Sequence, residues 1–469
     1  MTAEAIDGRD RALDRLLGYY QHTAAIADAL LARRSQPAPA AFVSPPTVPG
    51  LRDYERALAW ARAERANLLA CLDHIVRTGQ HDRVLAFTAV MTGLLRLDGP
   101  WTDAVRRHHT AVQAAKSLDD QAGLARALTE LGFARYLVDE YLGAAEALEE
   151  ALGIYRDLDD RPGQASALID LGVVRYVTDN YPGAARALGE ALGICRDLGD
   201  RRGQADALAQ LGVLRRVTGD YAGAVGATEE ALTISGDLGD RRSQAGALVG
   251  LGVVRYMTGD FPGAARAQQE ALTIYRDLDN RVGIANALND LGVVRQLTGD
   301  FTGAAGAQEE ALGIYRVVGD RLGQANALID LGAARRLTGD FTAAAGALEE
   351  ALGVYRDLGS RLGESEALNE AGTLHRLRGD LDRAAECYQR ALKLAGEIGS
   401  SLDEARALAG LGRCALAADH TAAAQASLAQ ALEVFRRLGA AEAADVAAEF
   451  GALTAAPAIS HRPELPRQE

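Results

Sequence analysis

Few residues in this sequence are spaced to do chemistry at one site. The only adjacent histidines are His108 and His109, and neighbours on a helix point about 100° apart, so they do not readily face one metal ion. The four cysteines are scattered and form no C-x-x-C pair. The only lysines are Lys116 and Lys393, and no G-x-x-x-x-G-K-[ST] motif exists, which excludes a phosphate-binding loop of that type. We therefore expect no catalytic site, no cofactor and no metal ion.

The polar residues that could act together are instead distributed along a repeat. The stretch 321–360 occurs in nearly the same form at 161, 201, 241 and 281. The dipeptide Leu-Gly recurs every 40 residues without insertion or deletion, beginning at 131, 171, 211, 251, 291 and 331. A strict period of this size indicates a stack of supersecondary units, each of which buries an apolar face against its neighbours.

Each unit is predicted to contain two helices, here called helix A and helix B. In the unit that starts at 201, helix A covers about 203–218, with its Leu-Leu-Gly residues on one face. Thr-Gly-Asp at 218–220 ends it, because glycine suits a left-handed position after a helix and aspartate can cap the next one. Helix B then covers about 221–238. The prediction is an all-α fold, a right-handed α-solenoid of tandem helix hairpins.

Composition and the repeat divide the chain into four parts. In chain order we expect a helical extension, nine repeat units with a degenerate first unit, a capping helix and a disordered tail, at 1–80, 81–440, 441–454 and 455–469. The extension should hold helices at about 10–34 and 52–78. A proline-rich loop at 35–50 separates them, because five prolines there exclude regular structure.

The charge balance argues against a nucleic-acid partner. The net charge is −14, the sequence pI is about 5.2, and no long basic run offsets it. No stretch approaches the roughly 18 uninterrupted apolar residues of a membrane span, and the charged N-terminus lacks the apolar core of a signal peptide. We expect a cytoplasmic protein that contacts neither nucleic acid nor a membrane.

The unit resembles the tetratricopeptide repeat. That family's pattern of large and small residues is matched here by Leu168, Leu171, Gly172, Tyr181, Ala184 and Ala191. The unit is longer than the usual 34 residues, like the repeats of spindle-orientation adaptors and kinesin light chains, which hold extended peptides in a concave groove. It departs from the family in lacking the proline that often ends helix B, and in carrying arginine where tyrosine is common. The resemblance implies a superhelix in which helix A lines the groove.

If helix A lines the groove, residues that change between units would recognise the partner. Asparagine can pair with both donor and acceptor of an extended peptide backbone, and carboxylates can receive basic side chains. The candidate peptide-binding residues on this concave face are Asp170, Tyr176, Arg216, Tyr256, Asn286, Asn289, Asp290, Gln296, Asn326, Asp330, Arg336, Asn369, Glu370 and Arg376. The alternative is that each is simply a solvated residue of a helix face.

One arginine recurs on the buried side of helix A and needs an acceptor. It stands at Arg135, Arg175, Arg215, Arg255, Arg295 and Arg335. Two classes of acid remain open as its partner. The turn acids are Asp220, Asp260, Asp300 and Asp340, and the helix B acids are Glu190, Glu230, Glu270, Glu310 and Glu350. We expect a ladder that ties units together, with an anion-binding row as the alternative.

The first 120 residues carry a second resemblance. The segments RLLGYYQHTA, YERALAWARAERANLLACLDHIVRTGQHD and GPWTDAVRRHHTAV look like the sequence that follows the NTPase module in actinobacterial-type NB-ARC/SARP transcriptional regulators, the AfsR-like family. In that family the repeats form the sensor or autoinhibitory part. The resemblance covers the repeat region only.

These observations predict a non-enzymatic scaffold that binds a protein or peptide in its concave groove, as a sensor or regulatory module of a signalling or transcription-control system. Two alternatives stay open. Uniform repeats can associate end to end, which would make the protein a dimer or a filament-forming scaffold. The groove could also serve a small-ligand sensor.

Overall fold

The chain is an all-α solenoid, as the 40-residue period predicts. The computed structural model describes residues 3–31, 49–97 and 101–455, and these ranges contain helices and no strand. The N-terminal helices are α1 (Ala3–Leu31), α2 (Tyr54–Ala63), α3 (Arg65–Arg77), α4 (His81–Ala89), α5 (Thr92–Leu97) and α6 (Trp101–Leu118). The regular units alternate helix A and helix B as α7 (Gln121–Leu137), α8 (Tyr141–Asp157), α9 (Arg161–Val177), α10 (Tyr181–Asp197), α11 (Arg201–Val217), α12 (Tyr221–Asp237), α13 (Arg241–Met257), α14 (Phe261–Asp277), α15 (Arg281–Leu297), α16 (Phe301–Val318), α17 (Arg321–Leu337), α18 (Phe341–Leu358), α19 (Arg361–Leu377), α20 (Leu381–Ile398), α21 (Ser401–Ala417) and α22 (Thr421–Leu438). Helix α23 (Ala443–Ala455) follows the last unit.

The turn inside each unit forms as its residue types predict. Gly219 has φ +83°, in the left-handed region, and ends α11 without strain on a side chain. The Asp220 carboxylate then accepts the backbone N–H of Gly223 at 2.9 Å and caps α12. A side-chain cap of this kind contributes about 1 kcal/mol. Because the turn recurs in each unit, these local preferences add along the solenoid.

The recurrent Leu-Gly glycine lets the two helices of a unit approach closely. A Cβ built on Gly172 would lie 2.6 Å from Cγ of Leu188, a leucine of the facing helix B. Both residues are at the centre of a core made of small and aliphatic side chains. Alanine at this position would push the helices apart, which is the physical reason why the dipeptide repeats with the period.

The N-terminal helices cap the first end of the solenoid. Leu17, Leu68 and Phe87 form one buried cluster that packs against Ala104 and Ala134 of the first units. The helix expected at 52–78 is broken at Glu64, which accepts the phenolic O–H of Tyr20 at 2.8 Å. The helix expected at 10–34 begins earlier and ends at Leu31. Most of the proline-rich loop and nearly all of the tail lie outside the described residues.

The recurrent arginine donates mainly to the backbone of its own unit. Nη1 of Arg135, Arg215 and Arg295 lies 2.9, 3.0 and 3.0 Å from the carbonyl oxygens of Gly143, Gly223 and Gly303. In two units it also pairs with a glutamate of the preceding helix B, as Arg175 does with Glu149 at 2.9 Å. The turn acid Asp220 lies 3.9 Å from Arg215. The arginine therefore joins helix A to helix B, and its acid partner changes from unit to unit.

The solenoid returns to itself after five units. The unit that starts at 161 contacts the unit that starts at 361, where the Asp179 carboxylate lies close to the backbone N–H groups of Arg361 and Leu362. A second contact joins units with the same five-unit separation: the N–H of Ala441 lies 3.0 Å from the carbonyl oxygen of Met257, in the unit that starts at 241. We call this line of contacts the seam. It brings the concave sides of the two turns to face each other, and we call the space between them the channel.

Candidate binding channel

The channel is lined by helix A side chains from both turns of the solenoid. The guanidinium of Arg216 interacts with Tyr176 and Tyr256 of the two flanking units. It also interacts with Glu366, four units further along the chain. Burial alone would lower the pKa of Arg216, but these anionic and phenolic neighbours raise it. Residues that are distant in sequence therefore face one common space.

Three carboxylates form the centre of this space. Asp290, Asp330 and Glu366 are partly exposed to the channel, and within the described ranges none of them forms an ion pair. Burial raises the pKa of Asp290 and of Asp330 to about 7 each. Burial, followed by repulsion from Asp403, raises the pKa of Glu366. The centre of the channel can therefore accept positive charge near neutral pH.

Two predicted asparagines sit beside these carboxylates. Asn289 and Asn369 are nearly buried, with 7% and 6% of their surface exposed. The amide nitrogen of Asn289 donates to Oδ2 of Asp330 at 2.7 Å, and that of Asn369 donates to the carbonyl oxygen of Asp403 at 3.2 Å. Both amide oxygens lack a hydrogen-bond donor among the residues the structure describes. Each is thus a buried acceptor whose hydrogen-bonding capacity is unused in the empty protein.

Other predicted residues lie in the channel but already have partners. Arg336 forms an ion pair with Glu370 at 3.1 Å. Gln296 lies beside Gln308, whose amide nitrogen, in the orientation that satisfies its hydrogen bonds, donates to the carbonyl oxygens of Ala304 and Asp330 at 3.3 Å each. Arg376 lies beside Tyr388, whose pKa burial raises. These side chains shape the channel while their charges are largely balanced.

Two of the predicted asparagines lie at exposed positions nearer the start of helix A. Oδ1 of Asn286 accepts the O–H of Tyr315 at 2.5 Å, and Oδ1 of Asn326 accepts that of Tyr355 at 2.5 Å. Each tyrosine belongs to helix B of the same unit. These two asparagines thus anchor buried tyrosines, and only their amide nitrogens are available to a partner.

Asp170 is taken up by the N-terminal helices. It is buried, and Nη2 of Arg96, from α5, lies 3.5 Å from its Oδ2. The same guanidinium donates to both oxygens of Glu130 at 2.8 and 3.0 Å and stacks on the ring of Phe133 at 3.8 Å. The guanidinium of Arg96 therefore occupies the part of the channel formed by the first units.

The sequence interpretation missed two glutamines that support the channel from behind. Gln268 and Gln308 are fully buried on helix B. The amide of Gln268 donates to Oδ2 of Asp290 at 3.3 Å and thereby orients it. The corresponding core position is leucine in other units, at Leu148, Leu188 and Leu348. The sequence could have indicated them, because glutamine replaces leucine at this position in two successive units. Both glutamines lie next to the central carboxylates.

A second depression lies away from the channel. Its volume is about 340 Å³, and it opens between α14, α15 and α16, where Gly303 and Gly306 leave space. The polar groups at its edge are already engaged, since Arg295 donates to the carbonyl of Gly303 at 3.0 Å and Arg276 lies 3.9 Å from Glu310. It offers no unpaired group comparable to those of the channel.

The described residues offer neither a metal site nor a membrane-spanning helix. No group of three or more histidine, cysteine, aspartate or glutamate side chains is arranged there to hold a metal ion. No helix in the described ranges has the length and apolar character needed to span a bilayer.

Comparison with known proteins identifies the repeat. Residues 243–317, 283–357 and 363–437 match the tetratricopeptide repeat family model, so these units are tetratricopeptide repeats. Comparison with curated proteins gave no match.

Two solved structures share the fold at low sequence identity. A Rap protein complexed with Competence and Sporulation Factor is similar with a TM-score of 0.57 and 15% identity, over 80% of this chain and 99% of that chain. A Rap conjugation gene regulator of the plasmid pLS20, in complex with the Phr* peptide, is similar with a TM-score of 0.54 and 16% identity, over 71% of this chain and 95% of that chain. At this identity the likeness establishes the solenoid fold alone.

Proposed function

We propose that this protein is a non-enzymatic regulatory scaffold that binds an extended peptide segment with at least one basic side chain in its channel. The observation that carries the proposal is that two kinds of group lie side by side in the channel: amide oxygens without a hydrogen-bond donor, and carboxylates without an ion pair, within the residues the structure describes. Among these residues, the amide oxygens of Asn289 and Asn369 lack donors, and Asp290, Asp330 and Glu366 form no ion pair. Arg216 and Arg406 nevertheless lie near enough to offset in part the rise in pKa that burial causes in these carboxylates. The Phr* peptide bound to the similar Rap regulator supports a peptide as the ligand class.

The two sets of groups would act on different parts of the ligand. Asparagine oxygens would accept backbone N–H groups and hold the peptide extended, without regard to its sequence. The carboxylates would select lysine or arginine side chains, since a charge-assisted hydrogen bond contributes about 1.5–3 kcal/mol. A bound cation would lower the raised pKa values of Asp290 and Asp330, so binding would release protons.

We further propose that the scaffold is the sensor part of a transcription-control system. The support is the similarity of the first 120 residues to NB-ARC/SARP regulators. Peptide occupancy would then be the signal that the solenoid passes on to its neighbours. Co-purification of an untagged regulator with wild-type protein, and its release by a bound peptide, would test this role.

Selection from a library of random seven-residue peptides tests the binding site. We expect peptides recovered on the wild type to be enriched in lysine and arginine. Their affinity, measured by fluorescence anisotropy, should fall about 100-fold in the Asp330→Asn/Glu366→Gln variant, because two charge-assisted contacts are lost.

The matched control removes acids of the same type from the outer face. Glu310→Gln/Glu350→Gln should bind the recovered peptides as the wild type does, because both residues are about half exposed and lie on helix B. Equal affinity in the channel variant and the wild type would contradict the proposal.

A further inference from the structure

The turn between helix A and helix B carries aspartate in the first two regular units and in the last, at Asp419, whereas the units between them carry glycine. Asp139 and Asp179 have φ of 63° and 60°, in the left-handed region. The glycines at the same position, with φ from 83° to 91°, are Gly219, Gly259, Gly299, Gly339 and Gly379. A side chain with a Cβ is disfavoured in this conformation, although aspartate tolerates it better than most residues. Aspartate also takes this conformation at Asp159 and Asp419, so what sets Asp139 and Asp179 apart is what their side chains face.

Both aspartates lie on the seam, where the second turn of the solenoid touches the first. The Asp179 carboxylate lies close to the N–H groups of Arg361 and Leu362; burial raises its pKa, and their attraction acts to lower it. These are first-turn amides of α19, which have no acceptor within their own helix. Asp139 lies beside Arg321, the first residue of α17, and the O–H of Tyr141 donates to it at 2.7 Å. Each aspartate thus joins its turn to the start of a helix five units later.

The other end of the seam is mostly apolar, beside the backbone hydrogen bond from Ala441 to Met257. A Cβ on Gly219 would lie 2.4 Å from Cδ2 of Leu438, so that contact is already close. Beyond it, Tyr221 and Val254 of the first turn pack in one buried cluster with Phe435 and Val446 of the second. The two turns are therefore joined by packing at one end of the seam and by two carboxylates at the other.

We infer that Asp139 and Asp179 are positioning residues that close the channel by holding its two turns together. The inference rests on the proposed function for its effect on peptide affinity. Arg216 on the first turn interacts with Glu366 on the second, and this arrangement exists only while the turns touch. Opening the seam at its polar end would separate the two halves of the channel without unfolding either.

The test is the Asp139→Gly/Asp179→Gly variant. Glycine adopts a left-handed φ without strain, so each hairpin should keep its fold and the circular dichroism spectrum should not change. Hydrogen–deuterium exchange at the amides of Arg361 and Leu362 should become faster, because the carboxylate beside them is gone. Small-angle X-ray scattering should show a larger radius of gyration. Recovered peptides should bind about tenfold more weakly, because a smaller fraction of the protein is closed.

Asp159→Gly is the matched control. Asp159 has φ of 53° but is exposed and lies between two units, away from the seam. It should show none of these changes. Unchanged exchange at Arg361 and Leu362 in the double variant, or an unchanged radius of gyration, would overturn the inference. Exchange and scattering need no ligand, so they decide it even if the wild type binds no peptide and the proposed function fails.

Discussion

The outer face and the channel of this solenoid treat charge in opposite ways. On the outer face, arginines near the end of helix B pair with glutamates 34 residues later, as Arg156 does with Glu190 at 2.8 Å and Arg316 with Glu350 at 2.9 Å. We call this row the outer ladder. In the channel, Asp290 and Asp330 form no ion pair among the described residues. Charges of the outer ladder are thus paired with one another, whereas these two channel carboxylates are not.

The two regions also differ in what their charges contribute to stability. The members of the outer ladder are about half exposed, and exposed ion pairs contribute little because water and salt screen them. The channel carboxylates are held where ionisation is costly, and Arg216 and Arg406 offset their burial only in part. Retaining them destabilises the empty protein and leaves interaction energy for a ligand. The outer ladder therefore belongs to the repeated architecture, whereas the channel carboxylates are placed to bind a ligand.

The largest effect should come from pH acting on the channel. With a pKa of about 7, Asp290 and Asp330 are largely ionised at pH 8 and largely protonated at pH 6. Peptide affinity measured by titration calorimetry should therefore be about tenfold or more weaker at pH 6 than at pH 8. The Asp290→Asn/Asp330→Asn variant should bind weakly at both values, and an equally steep pH dependence in that variant would assign it to other groups.

An intermediate effect is expected on the stability of the empty protein. The folded-state pKa of Asp330 lies above its ordinary value of 3.8, so folding is favoured by protonation and stability falls as pH rises from about 4 to 7. Asp330→Asn removes this loss while its side-chain oxygen can still accept from Asn289. Its melting temperature should exceed that of the wild type by about 2–4 °C at pH 8. At pH 4 the gain should nearly vanish, because Asp330 is then protonated in the folded wild type and only partly ionised when unfolded; a gain of the same size there would contradict the assignment.

The smallest effect is expected on the outer ladder. Replacing Arg316 and Glu350 by alanine, singly and together, should give a coupling free energy of about 0.5 kcal/mol or less. High salt should abolish it, because both side chains are about half exposed. Chemical unfolding of the four proteins at low and high salt measures this coupling. A coupling of several times that size that persists in high salt would contradict the prediction that the outer ladder contributes little to stability.

Local sequence rules predicted the elements well and the site less well. The cap at Asp220 and the left-handed Gly219 follow from short-range backbone preferences, so they could be predicted from one unit. Asp170 has the same position in its unit as Asp290, yet only Asp170 is paired, because Arg96 comes from an N-terminal helix whose docking the repeat does not encode. Gln268 occupies a position that the repeat pattern assigns to the core. Its role depends on its hydrogen bond to Asp290, which only the tertiary structure shows.

The leucine near the end of helix B shows where the sequence alone stops. The 40-residue period by itself determined that this leucine recurs and that the units stack into a solenoid. Leu158 and Leu198 are each 45% exposed, whereas Leu278 is 7% exposed beside the ion pair of Asp279 with Arg62, and Leu358 packs against the core of the early units. The local sequence is nearly the same each time. Only the tertiary structure decided which copies are covered, because coverage depends on the small rotation between units, which accumulates until the chain meets itself five units later.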